Sequence, residues 1–442
     1  MWNVALFIFL LTYIGVALGE IPGLALDRTG IALLGALAMV VSGVVSEKTA
    51  LLSVDYPTIV LLYALMVVSG QLRLGGFYTW VALKISRLTD KPAAFLLIVM
   101  LVSALLSAIM VNDIICLAFT PILAVAMLRA GLNPIPYLIG LAVASNIGSA
   151  ATIIGNPQNM LIGQVGHLHF GSFLLWCAPP ALISLFISYA LIEFLYRDRF
   201  KASPSAIGMQ HESWLAFNRH QSTKGLVATA ILIALFFTPV PRELTAMTIA
   251  GLLLCSRRMQ TRQILDLVDW HLITLFIGLF VVIRGIETTN LPALSIEWLK
   301  VHGIDIGNLY VFAIVSNLLS NLVSNVPATL VLVKFTDAVA PDPWYVLALA
   351  TTFAGNLFTI GSIANLIVIE QAKIYGINIS FREHARVGVP VTMVSMAVLL
   401  TWIWLKHCSR PALPLVVNRG AVPGQHGDRA PWLQQEKESS YP

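Results

Sequence analysis

The chain has 442 residues, of which 57% are hydrophobic and 11% charged, with a mean hydropathy of +0.82 and a formal charge of +5. Soluble domains carry about a quarter charged residues, so the composition excludes a soluble globular protein, a secreted disulfide scaffold and a disordered chain. What remains is an all-α polytopic membrane protein whose Lys and Arg residues fall between apolar runs rather than in blocks, which excludes nucleic acid as a partner.

Runs long enough to cross a bilayer, about 20 helical residues, are predicted first at Trp2 to Gly19, with no convincing cleavage site before Glu20, so this run is read as a retained span. They continue at Arg28 to Ser46, Pro57 to Leu74, Pro134 to Val165 and Phe170 to Leu195. A polar stretch, Tyr196 to Thr223, follows. Beyond it lie Lys224 to Thr238, Glu243 to Cys255, Trp270 to Glu287, Pro343 to Tyr375 and Val387 to Lys406. Two further segments, Pro92 to Ala130 and Asp305 to Ala340, are too long for one span and are broken at Asn112-Asp113 and Ser324-Asn325. Each reads as a re-entrant helical hairpin, the alternative being two spans joined by a tight turn.

The halves repeat. Asp55 matches Asp269, Ser103 and Ser107 match Ser316 and Ser320, Asn112 matches Asn325, and Gly155 with Asn159 matches Gly361 with Asn365. Phe170 and Pro179 match Phe381 and Pro390, and the offset drifts only from 214 to about 206. An odd number of crossings per half, five plus a hairpin returning to its own side, turns the second repeat upside down. The predicted organisation is a first inverted repeat over 1–198, a cytoplasmic linker over 199–223, a second repeat over 224–408 and a flexible tail over 409–442.

The positive-inside rule gathers Arg28, Arg73, Lys84, Lys201, Arg257, Arg258 and most other loop cations on one face, which is cytoplasmic; Lys48, Arg242 and Lys300 fall on the other. Both termini are then non-cytoplasmic, in the cell inner membrane. The basic residues of the tail lie on the sparse side.

The run Ala144 to Asn159 places Gly148, Gly155 and Pro157 inside a predicted span, beside Asn146 and Asn156. Its counterpart, Gly355 to Asn365, contains Asn356, Thr359, Gly361 and Ser362. Both spans are expected to unwind there. Unwound carbonyls suit a hard cation such as Na⁺, and half-helix N-termini suit an anion. At the hairpin tips Asn112-Asp113 and Ser324-Asn325 are read as helix caps, with Pro327 in a tolerated first-turn position, and also as ligands, since polar groups at mid-membrane are expensive. Ser107 and Ser320 either reach toward the tips or bond back to their own helices.

Asp113 is the one acid in a mid-membrane polar break. Three roles stay open for it: proton coupling, Na⁺ ligation, or a helix-capping carboxylate held by backbone amides. Asp55 and Asp269 read as ordinary caps, Arg284, Lys334 and Glu370 as charges snorkelling to an interface, and His167 and His169 as loop residues. The four cysteines are dispersed with no C-x-x-C spacing, and no enzyme motif or P-loop occurs. The chain is therefore not read as an enzyme.

Val111-Asn112-Asp113 with Thr120-Pro121, the run Ile154 to Ile162, Ser324 to Ala328 and Gly361 to Ile367 resemble the ion transporter superfamily. Within it the chain is most similar to citrate-transporter-like anion permeases, relatives of arsenite efflux permeases and divalent-anion sodium symporters. The resemblance covers residues 1 to about 408 and implies a homodimeric scaffold carrying a transport domain of hairpins and broken helices that moves as an elevator. The symporters carry Ser-Asn-Thr at both tips; here only the Asn is common to both.

The reading that follows is a secondary transporter for a small anion or oxyacid, coupled to Na⁺ or H⁺ and needing no other cofactor. Its substrate set is Asn112, Asn159, Asn325, Asn365, Gly155, Asn156, Pro157, Gly361 and Ser362. Its ion-coupling set is Asp113, Ser107, Asn146, Gly148, Ser320, Ser324, Asn356 and Thr359, with Na⁺ near Asn112 and Asn325. A cation/proton antiporter of the same superfamily and an ion channel are the competing readings, with a membrane enzyme or scaffold behind them.

Overall fold

The computed structural model describes residues 2–19, 25–88, 91–200, 215–256, 259–289, 291–336 and 340–408. Lys201, Arg257, Arg258, most of the polar linker and the tail 409–442 lie outside the described residues. Residues 1–403 form one compact unit; of the second, 404–442, the described part is the last turn of the final helix.

Every regular element among the described residues is helical. The first half runs through α1 (Trp2–Leu18), α2 (Arg28–Val41), α3 (Glu47–Ser53), α4 (Tyr56–Leu74), α5 (Phe77–Ile85), α6 (Pro92–Ile109), α7 (Asn112–Arg129), α8 (Ile135–Ser149), α9 (Pro157–Val165) and α10 (Phe170–Tyr196). The second half has α11 (Arg219–Phe236), α12 (Arg242–Leu254), α13 (Thr261–Leu265), α14 (Trp270–Glu287), α15 (Leu291–Val301), α16 (Leu309–Val323), α17 (Asn325–Leu332), α18 (Asp342–Ala354), α19 (Ile363–Ile374) and α20 (Phe381–Cys408). Six of these, α4, α6, α7, α10, α14 and α20, are long and apolar enough to cross a membrane.

The predicted segments are present, with differences at their edges. α11 opens at Arg219, inside the expected linker, because Asn218 caps it by accepting from Gln221 N at 3.1 Å. The short helices α3, α5, α13 and α15 were not anticipated, since none carries a full apolar run. Asp55 and Asp269 cap α4 and α14 as expected, each accepting a backbone N–H at 2.9 Å. Arg284 and Lys334 share Glu287, at 3.1 and 2.9 Å.

Two groups of packings position the centre of the molecule, and each recurs in both halves. α6 lies along α8 as α16 lies along α18, while α7 packs on α19 and α17 on α9. Apart from these, α2 packs on α14 and α12 on α4. The α6–α8 contact is backbone to backbone, because a Cβ on Gly148 would overlap the main chain of Ala104. Gly148→Val is therefore expected to cost about 1–3 kcal/mol by overpacking, read as a lowered melting temperature of the purified protein. Gly251 in α12 has nothing within 4 Å of its added Cβ; Gly251→Ala serves as the control and should leave stability unchanged or slightly raised.

Candidate functional site

Both expected breaks are present. α8 ends at Ser149 and α9 begins at Pro157; α18 ends at Ala354 and α19 begins at Ile363, with one 3₁₀ turn, Thr359–Gly361, between. Proline disfavours helical backbone in the residue before it, and Asn156 is accordingly extended, its side chain accepting from Asn159 N at 2.9 Å. Ser362 does the same work without a proline, extended and accepting from Ala364 N at 3.2 Å.

Unwinding strands carbonyls that must find donors away from water. Asn159 Nδ2 donates to Ser149 O and Thr152 O at 3.2 and 3.0 Å, and Asn365 Nδ2 donates to Gly355 O and Phe358 O at 2.7 and 3.1 Å. The two sets of residues are 206 positions apart throughout. So are the cross-links between the breaks, Asn156 Nδ2 to Thr352 Oγ1 at 3.3 Å and Ser362 Oγ to Asn146 Oδ1 at 2.9 Å. Gly155 is tight against its own break, where a Cβ would overlap the main chain of Ser149.

Asn146 is the hub. Its Nδ2 donates to Asn356 Oδ1 and Asn365 Oδ1 at 3.0 and 3.1 Å, and its Oδ1 also accepts from Asn112 Nδ2 at 3.4 Å. His384 of α20 reaches the same place from behind, its Nε2 lying 3.2 Å from Asn356 O.

The hairpin tips depart from the capping expectation. Asn112 and Asn325 are the first residues of α7 and α17 rather than the residues before them, and neither helix has a side-chain cap. Their amides face sideways instead. Asn112 Nδ2 donates to Asn146 Oδ1 at 3.4 Å while its backbone N–H donates to Gly155 O at 3.1 Å, and the Asn325 amide nitrogen faces Gly361 O, Thr351 O and Ser320 Oγ at 3.0, 3.1 and 2.7 Å. Ser320 thus reaches its tip directly. Ser107 acts through Ser145, 2.9 Å away, which donates to Asn112 O at 3.2 Å. The second tip turns on a single residue, Ser324, at φ 75° and ψ 160°, a region otherwise almost confined to glycine.

A cavity of about 40 Å³ lies at this junction. Asn112 and Asp113 of α7, Pro157 and Gln158 of α9, Ser324, Asn325, Val326 and Pro327 at the start of α17, and Ser362 with Ile363 of α19 line it. Val16, Arg28 and Leu275 close it from α1, α2 and α14. The starts of α7, α9, α17 and α19 therefore meet at one point, and helix starts carry unpaired N–H groups and the positive ends of their dipoles. Asn112 is 5% exposed and its Oδ1 has no partner, and Asp113 makes no hydrogen bond or ion pair among the described residues.

Of the residues expected at the site, Asn112, Asp113, Pro157, Ser324, Asn325 and Ser362 line this cavity. Ser107, Asn146, Gly148, Gly155, Asn156, Asn159, Ser320, Asn356, Gly361 and Asn365 form the packed, hydrogen-bonded layer behind it. Thr359 sits at the start of the 3₁₀ turn, outside the cavity, and makes no hydrogen bond among the described residues. Sequence reasoning missed Gln158 and Arg28. Gln158 sat within the quoted break motif, whereas Arg28 looked like one more loop cation; its signal was a positive charge in the first turn of a helix.

The sequence model described as citrate transporter matches residues 5–354 of the chain. The chain is 29% identical to the 46 kDa membrane protein of Mycobacterium leprae, over 91% of this chain and 98% of that one. It is 28% identical to the silicon efflux transporter LSI3 of Oryza sativa subsp. japonica, over 86% and 93%. The crystal structure of the Alcanivorax borkumensis YdaH transporter shares the fold, with a TM-score of 0.53 at 12% identity, covering 92% of this chain and 98% of that one.

Two outcomes follow from the geometry. Asn365→Ala removes both bonds that hold the second break, leaving buried carbonyls at about 1–3 kcal/mol each, and should lower the melting temperature markedly. Ser324→Gly relieves a backbone cost of about 1–3 kcal/mol and should leave the melting temperature unchanged or raised; a clear fall would mean that Ser324 is not strained.

Proposed function

The chain belongs to the citrate transporter family of membrane transporters, and we propose that it is a secondary active carrier of a small anion or oxyacid, coupled to Na⁺ or H⁺. The observation that carries this reading is the meeting of four helix starts, two from hairpin tips and two from broken helices, around one cavity. Such starts offer fixed N–H donors and favourable potential to an anion without a ring of cations. Among the described residues, the N–H groups of Asn325 and Val326 have no acceptor, and Pro327 has none to offer.

The same cavity has acceptors suited to a coupling ion. The Asp113 carboxylate and the unpartnered Asn112 Oδ1 line it together, and a proton or Na⁺ there offsets charge that burial would otherwise make costly. The volume bears on the substrate. Drug-sized ligands occupy roughly 300–1,000 Å³, against about 40 Å³ here, so this state suits an inorganic ion or a small oxyacid, and a tricarboxylate needs the cavity to open.

An inverted repeat supports alternating access. The recurrence of α6–α8 as α16–α18 and of α7–α19 as α17–α9 joins tips and breaks into one body, against which α2–α14 and α12–α4 form a frame. Sliding of the first body along the second would carry the cavity from one face of the inner membrane to the other.

Counterflow in proteoliposomes with labelled citrate, succinate, sulfate, phosphate, arsenite and silicic acid tests the assignment; silicic acid is included because a rice relative is a silicon efflux transporter. Saturable exchange of at least one substrate, accelerated by a Na⁺ or pH gradient, is expected. Non-saturating flux with single-channel conductance would favour a channel, and collapse of a proton gradient by Na⁺ alone would favour an antiporter. Asn112→Ala and Asn325→Ala should each abolish transport in inserted protein, and wild-type rates from both would remove the site. Asp113→Asn should flatten the pH dependence of transport; an unchanged profile excludes a proton role for Asp113.

A further inference from the structure

Arg28 is the only cation, and Asp113 the only acid, among the described residues lining the cavity. Arg28 opens α2, whose cap is Asp27, the Oδ1 of which accepts from Gly30 N at 2.8 Å. A positive charge in a first turn works against the helix dipole, so α2 gains nothing from it. No ion pair among the described residues offsets the charge. Arg28 makes no hydrogen bond or ion pair among the described residues, and the second oxygen of Asp27 lies 3.9 Å from His271 Nδ1. A half-buried guanidinium beside a cavity, on the wrong end of a helix, with Asp113 as the one acid sharing that cavity and no ion pair formed among the described residues, is an arrangement a bound anion would complete.

The division of labour is physical. The helix starts of α7, α9, α17 and α19 supply hydrogen-bond donors, which a neutral oxyacid and an anion both use. The one cationic side chain comes from α2, which packs on α1 and α14. Resting on the carrier reading above, we propose that Arg28 is the specificity-determining residue of the site: it binds the negative charge of the substrate and selects anions over neutral oxyacids.

The test uses the purified full-length protein at pH 7 and constant ionic strength, following melting temperature against citrate, sulfate and phosphate as anions and arsenous and silicic acid as neutral oxyacids. At least one anion should stabilise the wild type. In Arg28→Gln its apparent affinity should fall about tenfold or more, with that for any neutral oxyacid unchanged and much of the loss recovered in Arg28→Lys. The ratio of anionic to neutral affinities is the deciding quantity, since it survives a lowered stability of the unliganded variant. Equal anion binding by wild type and Arg28→Gln, or parallel loss of both ligand classes, overturns the role of Arg28. A wild type stabilised only by neutral oxyacids overturns the proposal and leaves the carrier reading standing, whereas stabilisation by none of the probes removes the carrier reading as well.

Discussion

The structure depends on satisfying the backbone of two interrupted helices in an apolar surrounding. Each break frees carbonyls that no water can reach, and an amide hydrogen bond made there is worth far more than one made against solvent. Asn159 and Asn365 answer this need in the same way, each spanning two carbonyls of its own break. Asn146 then fastens the two breaks and the first tip to one another through four hydrogen bonds. Nearly all members of the polar layer are paired, and it is central because α8 and α18 are themselves buried along almost their whole length.

That pairing has a functional counterpart. Amides turned sideways do not cap α7 and α17, and among the described residues the N–H groups of Asn325 and Val326 are left without an acceptor, whereas that of Asn112 is taken by Gly155 O. The unfavourable backbone of Ser324 belongs to the same arrangement, since a one-residue turn brings α17 to the cavity at the cost of a conformation that only glycine adopts freely. Charge enters from two directions: Asp113 from a tip, Arg28 from the frame.

Much of this was legible from residue order. The breaks announced themselves through Gly155-Asn156-Pro157 and Gly361-Ser362, small or helix-ending residues within otherwise apolar runs, and the spacing of Asn159 and Asn365 marked them as equivalent. The tips were located to the residue, but not the direction of their side chains. Asn is a frequent helix cap, and nothing local to Asn112 reveals that its amide meets Asn146, 34 positions away.

Composition and period alone therefore determined a membrane-spanning, all-helical chain with duplicated halves, because apolar run length and its interruptions are one-dimensional properties. Which polar groups line the cavity and which stand behind it was decided only by tertiary packing, since each break is completed by donors from the opposite half. Arg28 is the clearest instance: among loop cations it is unremarked, and only the packing of α1, α2 and α14 beside the tips brings its charge to the cavity.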